Sequence, residues 1–255
     1  MKLAKWQGLG NDYLIVEAAA LPVPLTAEAI SLLCDRHYGV GADGILLHDR
    51  PTGALPQAVA RMRIFNPDGS EPEMCGNGIR MFARYLARYG FVSEPEFVVE
   101  TLAGPIKPRL LPDGSVRVDM GRARFSGPGI ALEQPEVVDA ALTVADQTLR
   151  FTFVDVGNPH CVVLVDDPAT FPVAEVGPLL ENHPLFPQRS NVEFIRVEND
   201  GSVRMRVWER GVGETQACGT GATAVAAACV RLGIATSPVL VHLPGGDLTI
   251  EVEED

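Results

Sequence analysis

Alternation of apolar and polar residues predicts two runs of strands, each of which leads into a helix. In the first run, Leu3–Leu9 is expected to form a strand that continues through Tyr13–Val16, and Val59–Phe65 a later one. Apolar residues three and four positions apart then predict a helix from Cys75 to about Tyr89. The helix expected after Cys218 is apolar all round, which indicates burial on every side.

Other segments complete this pattern. Thr26 suits the N-cap of a helix expected to end at Gly39, and a short helix is expected at 176–182. Residues 191–209 predict a β-hairpin around an Asn-Asp-Gly turn. The stretch 126–136, rich in Pro and Gly, is expected to cross between two halves of the chain.

The strand and turn around the first long helix occur twice, and each residue of the second copy follows its counterpart by 143 positions. The copies are Arg61-Met62-Arg63-Ile64-Phe65-Asn66 with Cys75-Gly76-Asn77-Gly78, and Arg204-Met205-Arg206-Val207-Trp208-Glu209 with Cys218-Gly219-Thr220-Gly221. The repeat predicts an α+β protein of two similar halves, residues 1–122 with Cys75 and 123–255 with Cys218. In each half, a curled sheet is expected to wrap around a central helix.

Composition narrows the classes of function. The formal charge of −12 argues against a nucleic-acid partner, which needs a basic surface. The chain has no apolar run long enough to cross a membrane and no signal-peptide core at its start, so a cytoplasmic protein is expected. The three lysines lie outside any pyridoxal motif, and the five cysteines lack the spacing of a zinc site or a disulfide framework. We therefore expect neither a metal nor another cofactor.

The two Cys-Gly-X-Gly turns suggest acid–base chemistry. Each thiol stands at a predicted helix N-terminus, where unpaired N–H groups are expected to lower its pKa and to bind a carboxylate. If the halves meet across a cleft, one ligand carboxylate would contact both helix ends. The carbon beside it would then have Cys75 on one side and Cys218 on the other. This arrangement favours removal of a proton from one face and return of a proton to the other.

Polar residues at the strand ends supply candidates for holding such a ligand. Asn11, Asn66, Asn158 and His160 are placed to orient its polar groups. Two neighbouring residues, Glu209 and Arg210, suit an ammonium and a second carboxylate.

These motifs together resemble the diaminopimelate epimerase family. The resemblance extends from about residue 3 to about residue 250. It rests on Gly10-Asn11-Asp12, Phe65-Asn66, Asp68-Gly69-Ser70, Met74-Cys75-Gly76-Asn77-Gly78, Gly157-Asn158-Pro159-His160-Cys161, Ser190-Asn191, Glu209-Arg210-Gly211 and Ala217-Cys218-Gly219-Thr220-Gly221. It implies a homodimer that interconverts LL- and meso-diaminopimelate without a cofactor, on the route to lysine and the bacterial cell wall.

The resemblance also implies a role for each matching residue. Cys75 and Cys218 are the acid–base pair, assisted by His160 and Glu209. The other expected substrate contacts all line the cleft between the halves. They are the backbone of Gly76-Asn77 and Gly219-Thr220 for the reacting carboxylate, Asn66, Asn158, Asn191 and Arg210 for the distal end, and Asn11 and Glu209 within the site.

Two departures from the family pattern concern the first half. Some relatives have Gln in the site where this chain has Gly44, which leaves open what fills that space. Relatives usually continue beyond the strand at 248–250 with a tail that returns to the N-terminal half. Either another segment closes that sheet, or its edge is expected to be open.

Other functions compete with epimerisation of diaminopimelate. A proline or hydroxyproline racemase of the same architecture typically has His after the first Cys-Gly, where this chain has Asn77. A thiol redox protein would use Cys75 and Cys218 as a disulfide pair, and a non-catalytic amino-acid-binding protein would need neither thiol.

Overall fold

Two compact units, each built on a mixed β-sheet, make up the chain. The structure is a computed structural model that describes residues 3–145 and 147–253. The first unit ends at Asp119 and the second begins at Met120.

The first unit contains a six-stranded sheet in the order β1-β2-β3-β4-β5-β6. Its strands are β1 (Leu3–Gly8), β2 (Asn11–Glu17), β3 (Gly44–Asp49), β4 (Ala58–Phe65), β5 (Val98–Thr101) and β6 (Gly104–Ile106). The helices are α1 (Ala27–Cys34) and α2 (Gly76–Arg88), and a separate hairpin is formed by β7 (Pro108–Leu110) and β8 (Val116–Val118). A short 3-10 turn at Ala18–Ala20 follows β2.

The second unit contains an eight-stranded sheet in the order β16-β15-β13-β12-β11-β10-β9, with β14 paired to β13. Its strands are β9 (Ala140–Val144), β10 (Gln147–Asp155), β11 (Pro159–Leu164), β12 (Asn191–Val197), β13 (Val203–Glu209), β14 (Gly213–Thr215), β15 (Val239–Leu243) and β16 (Gly246–Ile250). The helices are α3 (Val173–Glu181) and α4 (Gly219–Arg231).

Strand directions show that the second unit repeats the first. From β1 to β6, neighbours pair antiparallel, parallel, antiparallel, parallel and antiparallel. The series β10, β11, β12, β13, β15 and β16 pairs in the same sequence of directions. The repeat seen in the amino-acid sequence is therefore a repeat of topology as well.

The pairing register assigns counterparts outside the repeated segments. Ile45 pairs with Phe65, and Val192 pairs with Trp208, which is the counterpart of Phe65. Leu46 and Glu193, the next residues of β3 and β12, therefore occupy matching positions. By the same register, Tyr13 lies beside Gly44 as His160 lies beside Asn191.

Helix α2 packs on one face of the first sheet because its apolar positions recur at helical spacing. Phe82 and Leu86 are fully buried in a cluster with Ile15 and Met62, and Val116 of the β7–β8 hairpin packs against the same cluster. The opposite face of the sheet is covered by α1, whose N-terminus is capped by the Thr26 hydroxyl, as predicted.

Helix α4 confirms the prediction of a helix buried on every side. Its residues from Ala224 to Cys229 are at most 4% exposed. At its N-terminus, Thr220 contacts Asn158, the residue before β11.

Three local predictions are wrong. Tyr13–Val16 does not continue β1, because Leu9 and Gly10 both have positive φ and turn the chain into a two-residue hairpin. Helix α1 ends at Cys34, before Gly39. The 126–136 stretch belongs to the second unit, where Ile130 joins the core.

Candidate active site

Each repeated turn places a cysteine at the N-cap of a long helix. The backbone of Cys75 is extended, and its sulfur accepts a hydrogen bond from the N–H of Gly78 at 3.2 Å. Cys218 has nearly the same backbone angles, and its sulfur accepts from the N–H of Gly221 at 3.4 Å. The prediction of one thiol at each helix start is confirmed, and each sulfur satisfies a donor that an N-cap hydroxyl or carboxylate normally satisfies.

The last glycine of each turn is required by packing within its own unit. A Cβ at Gly78 would lie 3.1 Å from Cδ2 of Leu46, whereas a Cβ at Gly221 would lie 2.8 Å from Oε1 of Glu193. The side chain from the matching strand position thus lies directly beneath each glycine.

In the first unit, a tyrosine hydroxyl lies beside the Cys75 sulfur. The Tyr13 hydroxyl donates to the Cys75 sulfur at 3.7 Å. The Tyr13 ring also fills the space beside Gly44, where an added Cβ would come within 2.6 Å of the ring. Tyr13 therefore occupies the room that the sequence left unassigned.

A buried cation lies near the same thiol. Arg80 donates to the side-chain oxygen of Asn77. Burial lowers the pKa of the Arg80 guanidinium, while attraction to Cys75 acts in the opposite direction. The same attraction favours negative charge on the sulfur.

The two asparagines predicted for substrate binding in the first unit lie at strand ends. Asn11 begins β2, and its amide donates to Asp43 at 2.8 Å. Asn66 follows β4, and its amide donates to the Ser70 hydroxyl at 3.0 Å. These bonds fix the direction of each amide without burying it.

In the second unit, Cys218 lies among more polar groups. Its sulfur is 3.4 Å from the Thr220 hydroxyl, and the Glu209 carboxyl is near enough to interact with the thiol. Glu209 also accepts a short hydrogen bond from Thr215. Because Gly221 and Thr220 can donate to sulfur while Glu209 accepts, all three bonds are compatible with a protonated thiol.

His160 lies behind this group and is completely buried. Its Nδ1 is 2.6 Å from Oε1 of Glu193, and its Nε2 is 3.0 Å from Oδ1 of Asn158. The Asn158 amide in turn contacts the Thr220 hydroxyl at 3.5 Å. Both imidazole nitrogens are therefore engaged, and the described contacts lead from His160 to Cys218 through Asn158 and Thr220.

The pKa of the Cys218 thiol differs from the value expected at a helix N-terminus. Burial raises the pKa of the Cys218 thiol well above its ordinary value, and the carboxylates of Glu209 and Glu193 add to the rise. The hydrogen bonds from Thr220 and Gly221 act the other way but are smaller. The predicted lowering of the thiol pKa is thus wrong for Cys218, because lost hydration outweighs the helix N-terminus.

Burial also raises the pKa of the Glu209 carboxyl, against the hydrogen bonds from Thr215 and Cys218. Each group therefore has an increased tendency to hold a proton. Ionisation of both groups at once would place two negative charges side by side, so each carboxylate or thiolate charge disfavours the other.

Arg210 and Asn191 are held together at the ends of β12 and β13. The Asn191 amide donates to the carbonyl of Pro159 at 3.0 Å and accepts from the backbone N–H of Arg210 at 2.9 Å. Glu181 supports the same turn by accepting from Gly211 and from the Trp208 indole. Asn191 therefore positions the main chain that carries Arg210.

Two further properties of the chain concern metal sites and disulfides. Within residues 3–145 and 147–253, no three His, Cys, Asp or Glu side chains are grouped so as to hold a metal ion. All five cysteines are free thiols.

No helix in the described part of the chain has the length and apolar character needed to cross a lipid bilayer.

Comparison with known proteins is decisive for the family. A family profile for diaminopimelate epimerase matches residues 3–126 and 152–255. The chain belongs to the diaminopimelate epimerase family. A diaminopimelate epimerase of Moorella thermoacetica is 51% identical over 260 residues, covering 98% of this chain and 91% of the relative. One from Synechocystis is 47% identical, with the same coverage.

Solved structures extend the likeness in fold beyond the diaminopimelate epimerase family. A hydroxyproline epimerase from Agrobacterium vitis superposes with a TM-score of 0.69 at 19% identity, covering 98% of this chain and 83% of that one. A PhzF-family phenazine biosynthesis protein of Bacillus anthracis gives 0.65 at 20% identity, covering 97% and 87%. The predictions of family, of α+β fold class and of an isomerase are confirmed.

Several residues beside the thiols were missed by the sequence argument. Tyr13 was predicted only as part of an apolar strand, and Arg80 was not singled out at all. Glu193 had a visible signal, since it is a carboxylate within the apolar strand Asn-Val-Glu-Phe-Ile. A charged residue at an inward strand position needs a buried partner, and here that partner is His160.

Proposed function

We propose that the protein interconverts LL- and meso-diaminopimelate, in the synthesis of lysine and of the peptidoglycan precursor. Two observations support this activity. The chain is about half identical to curated diaminopimelate epimerases over nearly its whole length. In addition, both units present a cysteine at the N-cap of a helix, and the matched pair is the observation that carries the mechanism.

In the proposed reaction, one cysteine is a thiolate and the other a thiol when substrate binds. The thiolate takes the α-proton, and its C–H electron pair remains on the carbon as a carbanion. The thiol then gives its proton to the opposite face, so that the product leaves with inverted configuration and the two sulfurs exchange protonation states. No net redox change occurs, and no cofactor is required by the proton balance.

The carbanion needs stabilisation because an α-proton beside an amino group is weakly acidic. The backbone N–H groups at Gly76-Asn77 and Gly219-Thr220 would hold the reacting carboxylate at the two helix starts. We propose that the site lies in a cleft between residues 1–122 and 123–255, with the α-carbon between the thiols.

Glu209 is proposed to assist Cys218 directly. Its carboxyl accepts the thiol hydrogen bond, and its raised pKa allows it to take that proton when Cys218 must act as the base. The Gly221 N–H and the Thr220 hydroxyl would then stabilise the thiolate. His160 assists through Asn158, which it contacts at 3.0 Å.

The distal amino-acid end of the substrate is assigned to Asn66, Asn158, Asn191 and Arg210, with Asn11 contributing from the first unit. Arg210 offers a guanidinium for the distal carboxylate, and a bidentate pair of this kind selects for a second carboxylate. Racemisation of proline would have no use for this group. We further propose a cytoplasmic homodimer that needs no metal.

The test is exchange of solvent deuterium into LL- and meso-diaminopimelate, followed by mass spectrometry with and without reductant. We expect exchange with both isomers and full activity only when the thiols are reduced. Exchange into proline or hydroxyproline but not diaminopimelate would support the racemase alternative. Activity that appears on oxidation would support a thiol redox protein, and binding without exchange would indicate an amino-acid-binding protein.

A further inference from the structure

Glu193 is a buried carboxylate in the second unit, and the proposed reaction of the two thiols gives it no role. Its side chain is 0% exposed, and Oε1 is 2.6 Å from Nδ1 of His160. In the described part of the chain, its other oxygen, Oε2, is buried without a hydrogen-bond partner. A carboxylate that has lost its hydration and keeps one hydrogen bond is costly, so a functional reason for it is required.

The matching position in the first unit shows that the fold itself does not need a charge there. Leu46 occupies it and lies beneath Gly78 as Glu193 lies beneath Gly221. Leu46 is fully buried in the core around α2. An apolar residue therefore satisfies the packing of this position, and the carboxylate is a property of the second unit alone.

Glu193 stands at the far end of a chain of hydrogen bonds that reaches the Cys218 sulfur. From Glu193 the contacts pass to His160, to Asn158, to Thr220 and to Cys218, at 2.6, 3.0, 3.5 and 3.4 Å. Because a carboxylate only accepts, His160 must donate from Nδ1, and it must also donate from Nε2 to the Asn158 carbonyl oxygen.

The remaining hydrogen bonds of this series then have one possible donor-to-acceptor direction. The Asn158 carbonyl accepts from His160, so its NH₂ group faces the Thr220 oxygen. With its oxygen accepting, the Thr220 hydroxyl directs its own hydrogen to the sulfur of Cys218.

We propose that Glu193 is a positioning residue that, through His160, Asn158 and Thr220, aims a hydrogen-bond donor at the sulfur of Cys218. This inference rests on the proposed function, because it assigns Glu193 to the step in which Cys218 becomes a thiolate. The charge of Glu193 by itself raises the pKa of the Cys218 thiol, and in this role that charge is paired with His160. Cys75 receives the equivalent bond from Tyr13 directly, so no buried carboxylate is needed in the first unit.

The test is Glu193→Gln, which keeps the volume but allows either end of the new amide to face His160. We expect kcat to fall by about 10- to 100-fold, the effect of losing one hydrogen bond to a charged group. The specific readout is the α-deuterium isotope effect on kcat/KM, measured from each isomer. It should rise for the isomer whose proton goes to Cys218 and fall for the other, because only the Cys218 step has been slowed.

Matched variants separate this role from a general loss of packing. Tyr13→Phe should shift the two isotope effects in the opposite sense, since it affects the Cys75 step. Glu100→Gln removes another buried carboxylate, one bonded to Thr52 in the first unit, and should leave both isotope effects unchanged. Isotope effects in Glu193→Gln that are unchanged from those of the parent for both isomers, or a change in kcat below about 2-fold, would overturn the proposal.

Two measurements keep the proposal open to refutation if Glu193→Gln does not fold. Thr220→Val breaks the same chain at its other end and must give the same isotope pattern. In the parent protein, ¹⁵N NMR of labelled histidine must show protons on both ring nitrogens of His160, assigned with His160→Gln. An unprotonated Nδ1 would contradict the inference. Failure of the parent to turn over diaminopimelate would instead refute the proposed function, leaving the NMR result to judge the hydrogen-bond chain.

Discussion

The turn that carries Cys75 and the turn that carries Cys218 share one backbone but not one environment. Both cysteines cap a helix and accept from the glycine three residues later. Around Cys75 the structure places a tyrosine hydroxyl and the guanidinium of Arg80. Around Cys218 it places Glu209 and, further away, Glu193 with His160.

The difference teaches that duplication of a fold does not duplicate its chemistry. A cation near Cys75 is attracted to that sulfur, whereas burial and two carboxylates raise the pKa of the Cys218 thiol. The proposed two-base reaction needs one thiolate and one thiol at the same time. Under that proposal, the unequal surroundings of the two sulfurs would meet this need within a pseudo-symmetric frame.

Removal of either thiol should have the largest effect on the rate of epimerisation. Cys75→Ala and Cys218→Ala should each lower the rate of epimerisation by about 1,000-fold, because each deletes an acid–base group. Circular dichroism and thermal melting should show that the fold persists. Cys229→Ala is the matched control, since that thiol is fully buried in α4, and it should retain turnover. Substantial turnover by Cys75→Ala in both directions would contradict the two-base scheme.

Exchange of the groups beside the turns should separate catalysis from binding. Glu209→Gln should lower kcat by about 100-fold, because the neutral amide cannot take the proton of Cys218. The counterpart variant Asn66→Ala should mainly raise KM, as expected for a residue that only binds substrate. Steady-state kinetics from both isomers measures the two effects. If Glu209→Gln changed KM alone, Glu209 would be a binding residue like its counterpart.

Loss of the Tyr13 hydroxyl, in the first unit, should have a smaller effect on kcat. Tyr13→Phe removes one hydrogen bond to the Cys75 sulfur and should reduce kcat by about 3- to 10-fold. The ring remains and still fills the space beside Gly44, so the melting temperature should change little. Kinetics and a thermal melt in parallel give the result, and a large loss of stability would show that the hydroxyl has a structural role instead.

The smallest predicted effect is on the free energy of unfolding at alkaline pH. It arises because the two long helices, α2 and α4, differ at one buried position. Cys229 of α4 matches Leu86 of α2, and burial raises the pKa of Cys229 from 9.0 to about 12. Above pH 9 the unfolded chain releases this proton while the folded one retains it. Stability should therefore fall with rising pH, by about 1.4 kcal/mol per pH unit for this thiol between the two values.

Urea unfolding between pH 8 and 11 in the parent and in Cys229→Ala tests this loss. The variant should show a shallower decline than the parent at alkaline pH. Equal slopes would mean that Cys229 ionises in the folded state at its ordinary pKa.

Much of the fold followed from local patterns. Apolar spacing was sufficient for α2 and α4, because helices on a core must repeat their apolar face. It failed at Leu9-Gly10, where a turn with two positive φ angles interrupts an apolar run without an Asn-Gly signal. Strands β9 and β14 were not predicted, since their short segments have no strong alternation.

The amino-acid sequence by itself determined the duplication, the two cysteines at helix starts and the family, because these are written in residue types and fixed spacings. Only the tertiary structure decided which groups surround each sulfur. Tyr13 is 62 residues from Cys75, and Glu193 reaches Cys218 through residues on three elements. The pKa of Cys218 depends on burial and on carboxylates that folding brings near it. Spacing along the chain contains neither quantity, so the chemical difference between the two thiols became visible only in three dimensions.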